Sequence, residues 1–488
     1  MSEEEIIALR KEKLERIRER GIDPYPARTS RTHTAQEALD LLGDADQNSE
    51  TVSLAGRIIS ARKMGKASFL DLRDGTARIQ VYVKSENVGV DAYELLHDID
   101  VGDFLNVTGT LFRTRTKEPT VAVAEFTLLA KALRALPEKW HGLQDVEIRY
   151  RQRYLDLIAS PEVRQTFVTR SRVIAGIRRY LDSRGYLEVE TPILQGTAGG
   201  AAARPFVTHH NTLDRQFYLR IAIELYLKRL VVGGFDRVYE IGRIFRNEGV
   251  STKWNPEFTM LESYQAYADY NDIMDLVEQM VSSVADEVLG TTDIPYGDDV
   301  INFAPPWPRI PLRDAILDKS GVDFEACPDL ESIRKAASDA GIAIEDEWGR
   351  GKIIDELLSV HVEPKILQPT FLIDYPVELS PLAKRKPDNP RLVERFEFFI
   401  AGREVGNAYS ELNDPIDQRV RMREQGELKA AGDEEAEEAD EDFLVALEHG
   451  MPPTGGLGIG IDRLVMALTG NSSIREVLLF PALKEKSE

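Results

Sequence analysis

Cysteine is almost absent: Cys327 stands alone among 488 residues. No internal disulfide can form, and no Cys/Cys or Cys/His spacing suggests zinc. Histidine is scarce too, with seven. His209 and His210 are adjacent, so they do not share a helix face as helical metal ligands would, and they read as ordinary polar residues. No run of about 18 apolar residues occurs, which leaves no candidate membrane helix. The opening MSEEEIIALRKEKLERIRERG is charged throughout and lacks the apolar segment of a secretory signal. A soluble, cytoplasmic protein with no membrane partner is the expectation. Basic charge is also in deficit, 61 Lys and Arg against 83 Asp and Glu, for a net charge of −22. A general nucleic-acid binder would be basic overall. Any nucleic-acid contact must use local basic surface, which suits a specific, dissociable RNA partner.

What is present is enough apolar material for real cores, 42% hydrophobic residues, in a chain too long for one compact core. Residues 3–20 read as a helix with Arg10, Lys13, Arg16 and Arg20 on its basic side. Two readings fit that face, solvated i,i+4 ion pairs or an RNA-backbone contact. Residues 24–50 read as a loop with a short helix. From Val52 to about Leu129, five short alternating segments (VSLAGRII, SFLDLRDG, ARIQVYV, DFLNVTGTLF and TVAVAEFTLL) are separated by turn signals such as Asp74-Gly75. Five strands in so short a span predict a small β-barrel. The domain expectation is a helical extension over 1–50, a barrel over 51–136, a linker over 137–145 and a second domain over 146–488. That second domain mixes helices and strands without βαβ alternation, which predicts an α+β fold with a largely antiparallel sheet. The acidic run DEEAEEADED at 433–442 reads as a solvated helix end or loop.

The most informative stretch runs from Arg237 to Ala266. In a strand, residues two apart point the same way. A hairpin through the loop Gly249–Pro256 would therefore gather Arg246, Glu248, Phe258, Glu262 and Tyr264 on one face. Such a set is costly to bury without a ligand. From periodicity alone, a solvated face with an ion pair fits equally well.

The motifs go further. FRNEG at Phe245–Gly249 followed by NPEFTMLE at Asn255–Glu262 resembles motif 2 (237–264) of class II aminoacyl-tRNA synthetases. GYLEVETPIL at Gly185–Leu194 resembles motif 1, and GLGIGIDRL at Gly456–Leu464 resembles motif 3. GLGIG alone could suggest a dinucleotide loop, but no βαβ unit follows it. Within the class, GGAAARPF at Gly199–Phe206, ELYLKRLVVGGFDRVYEIGRIFRNEG at Glu224–Gly249 and RFEFFIAGREVGNAYSELND at Arg395–Asp414 resemble the lysyl-tRNA synthetases, over nearly the whole chain. The resemblance implies an N-terminal OB-fold that binds the anticodon, then a catalytic domain with an antiparallel sheet flanked by helices. It also implies a homodimer formed through motif 1. The implied activity, part of protein biosynthesis, is activation of L-lysine with ATP and Mg²⁺ and its transfer to tRNA(Lys).

The resemblance also assigns roles. Arg246 would hold the α-phosphate and the lysine carboxylate, and Arg463 the γ-phosphate. Phe258 would stack on adenine, with Glu248, Asn255 and Gly460 near the nucleotide, and Glu397 and Glu404 would bind Mg²⁺. Glu262 and Tyr264 would meet the ε-ammonium, with Gly200, Glu224, Asn407, Tyr409 and Glu411 completing the pocket. Anticodon contacts fall at Phe69, Gln80 and Glu125. Parity agrees for the first two, because Leu70, Leu72, Ile79, Val81 and Val83 suit the barrel interior and leave Phe69 and Gln80 outside. Glu125 shares parity with Val121 and Val123 and would point inward without a bulge. The chain departs from the family at Trp254, where His is common, and at Ile223, where Pro is common. An aspartyl- or asparaginyl-type synthetase is the nearest alternative, but its pocket needs a cation facing the side chain. A protein-lysylating paralogue typically lacks the barrel. A non-catalytic RNA-binding relative would not need Arg246, Glu397, Glu404 and Arg463.

Overall fold

The computed structural model describes residues 2–137, 143, 145–197, 199–201, 203–430 and 440–484. Most of the expected linker and residues 433–439 of the acidic run lie outside them. The chain forms two compact units, Met1–Asp145 with Tyr154–Ala159, and Val146–Arg153 with Ser160–Glu488. Among the described residues no helix is long and apolar enough to cross a membrane.

In the first unit, helix α1 (Glu3–Glu19) opens with a Ser2 capping box, and α2 (Ala35–Leu42) with one at Thr34. Five strands follow: β1 (Gln47–Met64), β2 (Ala67–Arg73), β3 (Arg78–Lys84), β4 (Phe104–Arg113) and β5 (Pro119–Ala130). They close as β1-β2-β3-β5-β4 around Leu54, Leu70, Leu72, Ile79, Val81, Val83, Val107 and Val123. The basic side of α1 is neither free nor paired along the helix. Arg10 donates to the carbonyls of Val101, Ala132 and Arg134. Lys13 pairs with Asp100, and Arg16 and Arg20 with Asp98. The expected i,i+4 pairing gives way to docking of α1 on its own barrel, with Arg16 and Arg20 still partly exposed.

The second unit is built on an eight-stranded sheet. Its strands are β6 (Leu187–Glu188), β7 (Arg237–Phe245), β8 (Glu257–Ala266), β9 (Arg309–Pro311), β10 (Thr370–Pro376), β11 (Leu392–Ile400), β12 (Arg403–Ser410) and β13 (Thr454–Gly460). The order is β9-β10-β11-β12-β13-β8-β7-β6. The five central pairings are antiparallel. The two edge pairings, β9 with β10 and β6 with β7, are parallel, so the sheet is largely antiparallel, as the sequence pattern predicts. Helices α3 (Pro161–Ser183), α5 (Tyr270–Leu289) and α6 (Ile461–Leu468) bury their apolar stripes in one core with Phe396, Phe398 and Leu457 of the sheet. Helix α4 (Glu224–Val232) packs with Tyr264 and Phe443 in another. His209 and His210 lie on an exposed strand, Val207–His210, and His209 faces Asp214 at 3.2 Å.

Candidate active site

Register alone lays out the site, because residues directly opposite one another in a sheet share a face. One row across β11, β12, β13, β8 and β7 reads Glu397, Asn407, Gly458, Glu262 and Glu240. The next row reads Arg395, Tyr409, Gly456, Tyr264 and Val238. The glycines are required in the middle. A Cβ on Gly456 would collide with Glu411 Oε1 and Tyr264, and one on Gly458 would meet the Met260 methyl at 2.8 Å. Motif 3 therefore hollows the floor on which side chains from motif 2 and β12 converge.

The floor is acidic at one end. Glu262 is 3% exposed and Glu411 1%. Glu262 accepts from the Ile223 N–H at 3.3 Å and the Tyr264 hydroxyl at 3.2 Å. The departure at Ile223 thus supplies a donor that proline lacks, at a φ of −115° that proline cannot reach. Burial, with Glu224 close by, pushes the Glu262 carboxyl up to about 8. Glu224 accepts from the Tyr409 hydroxyl at 2.6 Å. Gly200 stands against Ala222, Leu225 and Glu224 at a φ of +87°, left-handed backbone that favours glycine. Among the described residues, no hydrogen-bond donor reaches the buried Oε1 of Glu411. Three buried acids, one with an unfilled acceptor, make a cluster suited to ammonium groups.

The other end suits a nucleotide. Arg246 lies just past β7, its N–H bonded to the Pro256 carbonyl and its guanidinium 5.3 Å from the Phe258 ring centroid. Glu248 is exposed on the loop. Asn255 donates to the Glu257 carbonyl at 2.5 Å and accepts from the Ala482 N–H at 2.9 Å. Gly460 caps α6, and Arg463 in its first turn donates to the backbone oxygen of Glu404 at 2.6 Å and to its carboxylate at 3.1 Å. Trp254 carries Arg463 over its ring at 4.7 Å. At this departure from the family pattern the chain has a cation–π platform.

Glu397 accepts from the Tyr375 hydroxyl at 2.9 Å and from Arg395 at 2.5 Å, and burial, opposed by Arg395 and helped by Glu404, pushes its carboxyl up to about 7. Among the described residues no three acidic, His or Cys side chains form a self-sufficient metal cage. Two mutually repelling carboxylates fit a magnesium ion that draws its other oxygens from phosphates and water.

On the barrel, Phe69 is half-buried outside the apolar core, stacked on Tyr82 at 4.7 Å, and Tyr82 meets the edge of Phe112 at 6.3 Å. Gln80 lies off the core but is covered, its amide oxygen accepting from the Thr120 hydroxyl at 3.0 Å. Glu125 is exposed. Thr108 pairs with Glu125 while Gly109 pairs with Val123, so Ala124 is an extra residue and the inward parity of Glu125 is overturned by a bulge. Sequence reasoning missed Lys228, which is fully buried between Glu224 and Glu411. Its signal was the i,i+4 spacing in ELYLK. Reasoning also missed the Arg395–Glu397 pair and the Trp254 platform.

The family model described as tRNA synthetases class II (D, K and N) matches residues 145–484, and that of the OB-fold nucleic acid binding domain matches 52–129. A lysine–tRNA ligase of Dehalococcoides mccartyi is 56% identical, covering 100% of this chain and 99% of the relative. That of Pelotomaculum thermopropionicum is 57% identical (99% and 95%), and that of Bacillus subtilis 53% identical (98% and 97%). An OB-fold barrel, a hollowed acidic sheet floor and full-length identity of this degree converge: the chain belongs to the lysine–tRNA ligase family of class II aminoacyl-tRNA synthetases.

Proposed function

We propose that the chain activates L-lysine with ATP and Mg²⁺ and transfers it to tRNA(Lys) in the cytoplasm, as a homodimer. The observation that carries this reading is the trio Glu224, Glu262 and Glu411 buried beside Arg246. An aspartate or asparagine pocket has no use for three buried acids.

In the first step a lysine carboxylate oxygen attacks the α-phosphorus of ATP. The bond from that phosphorus to the bridging oxygen breaks, and pyrophosphate leaves with the electron pair. The nucleophile is already an anion, so no protein base is needed, and rate comes from positioning and charge stabilisation. Arg246 presents a planar fork to the carboxylate and α-phosphate, and Phe258 stacks on adenine, with Glu248, Asn255 and Gly460 around the nucleotide. Arg463, steadied by Glu404 and Trp254, meets the γ-phosphate. Glu397 and Glu404 would hold magnesium, which when bound would supply neutralisation of phosphate charge. Glu262 and Tyr264 meet the ε-ammonium, and Gly200, Glu224, Asn407, Tyr409 and Glu411 complete the pocket. In the second step a terminal ribose hydroxyl of tRNA attacks the lysyl carbonyl, loses its proton, and AMP leaves. The test is amino-acid-dependent exchange of labelled pyrophosphate into ATP across all twenty amino acids. Lysine alone should support it, and exchange with aspartate or asparagine would overturn the assignment.

Trp254→Ala is expected to raise KM for ATP about two- to fivefold with KM for lysine unchanged, since a partly exposed cation–π contact contributes about 0.5–1 kcal/mol. Equal ATP dependence in the variant would free Arg463 from this support.

Phe69→Ala is expected to lower kcat/KM for tRNA charging by roughly ten- to a hundredfold, because stacking a base contributes about 1–3 kcal/mol. Exposed Glu125 belongs to the proposed anticodon surface, and Gln80, covered and bonded to Thr120, would reach a base only once that bond opens. Pyrophosphate exchange should not move, since the activating residues belong to the other compact unit. If exchange, charging and melting temperature fall together, Phe69 is structural.

Leu187, Ile193 and Leu194 of motif 1 are nearly half exposed, and clustered exposed apolar side chains mark association surfaces. A dimer mass is expected at micromolar concentration. A fully active monomer would refute this.

A further inference from the structure

Lys228 is an unusual component of a pocket built for a cation. It sits at 0% exposure on α4, one turn after Glu224, with its ammonium 2.5 Å from Glu224 Oε1 and in an ion pair with Glu411 Oε2. Its Nζ also lies 5.5 Å from the Tyr409 ring centroid and 5.8 Å from that of Phe443. Burial opposes the ammonium, but the two carboxylates outweigh it and hold the lysine above its ordinary value. A simple tether between α4 and β12 could have been an apolar contact at lower cost, since burying ions is expensive.

Charge counting gives a reason for it. Glu240, the fourth acid of the floor, is already taken by Arg220 at 2.5 Å. That leaves Glu224, Glu262 and Glu411 against Lys228, a deficit of two positive charges once all are ionised. Free lysine carries two ammonium groups, and its carboxylate has a separate partner in Arg246. We propose that Lys228 is a positioning residue of the substrate pocket, a built-in cation that cancels one of three buried carboxylates so that two negative charges face two ammonium groups. This rests on the reading of the pocket as lysine-binding. The titratable and charged groups facing Lys228 are Glu224 on its own helix and Tyr409 on β12 with Glu411 just beyond it, while Glu262 on β8 bears on Glu224 and Glu411.

The proposal predicts that one substitution acts in opposite directions in two backgrounds. In the otherwise native chain, Lys228→Met leaves three acids for two ammonium groups. KM for lysine in pyrophosphate exchange should rise about tenfold or more, with KM for ATP within twofold. Glu411→Gln leaves two acids facing Lys228 and two ammonium groups, and also raises KM for lysine. Adding Lys228→Met to Glu411→Gln restores the balance and should lower KM for lysine at least threefold relative to Glu411→Gln alone. If the single Lys228→Met chain does not fold, the comparison of Glu411→Gln with the double variant decides by itself. A double variant no better than Glu411→Gln, or a folded Lys228→Met chain with unchanged KM for lysine, would overturn the proposal. A native chain that exchanges pyrophosphate with another amino acid and not with lysine would instead remove the pocket reading, and the proposal with it.

Discussion

Glu404→Gln is expected to reduce lysine-dependent pyrophosphate exchange by roughly a hundredfold or more while the fold persists. Two features meet at this side chain. Its carboxylate is one of the two proposed magnesium ligands, and charge stabilisation of a transferring phosphoryl group by a metal contributes several kcal/mol, each 1.4 of which is about tenfold in rate. The same carboxylate and its backbone oxygen hold Arg463, so the amide slackens the γ-phosphate contact as well. The side chain is 38% exposed, and a pair that open to water contributes about 0–1 kcal/mol to stability. The melting temperature should therefore stay near that of the native chain. Exchange that is unchanged at limiting Mg²⁺ would remove Glu404 from the metal site.

Glu262→Gln is expected to raise KM for lysine about thirtyfold or more and to leave ATP binding nearly intact. Removing one member of a buried charge pair costs on the order of 2–5 kcal/mol. A shift below threefold with kcat unchanged would show that Glu262 is not the ammonium partner. The pH dependence is a second, independent signature. The Glu262 carboxyl is pushed up to about 8 because it is buried beside Glu224, against the opposing Ile223 N–H, Tyr264 hydroxyl and Arg246. At pH 7 it is mostly protonated, and an arriving ammonium favours the ionised form. Lysine binding should then release a proton, and apparent affinity should climb by up to about tenfold per unit between pH 6 and 8. Calorimetry in buffers of different ionisation enthalpy measures that proton, and Glu262→Gln should abolish it. For stability the sign is opposite. A carboxyl raised above its ordinary 4.5 contributes stability fully below that value and loses it as pH rises through about 8. The native chain should therefore lose more melting temperature between pH 7 and 9 than the Gln variant.

Much of this molecule was legible before any coordinates, for local reasons. Alternation over SFLDLRDG and RIQVYV set Phe69 apart from the barrel interior, because side chains alternate faces along any strand. The same parity placed Arg246, Glu262 and Tyr264 together, and the β7–β8 register agrees, with Val238 opposite Tyr264 and Ile244 opposite Phe258. Three motifs in order identified the family. Where parity failed, at Glu125, a single inserted residue reversed it, and a bulge leaves no mark in a hydrophobic pattern.

What only the tertiary structure decided were the pairings between distant segments. The basic side of α1 looked available to RNA because Asp98 and Asp100 lie some eighty residues away in the chain, and only the closed barrel brings them under it. Likewise Glu224, Glu262 and Glu411 belong to three segments whose acids are ordinary in isolation. Folding buries them around Gly456 and Gly458, removes their water, and leaves Lys228 to offset one charge and the substrate to offset the others. Sequence determines which face a residue occupies, because that depends on its nearest neighbours. The charge a buried group carries depends on its desolvation and on partners brought close by the fold, and those are properties of the assembled structure alone.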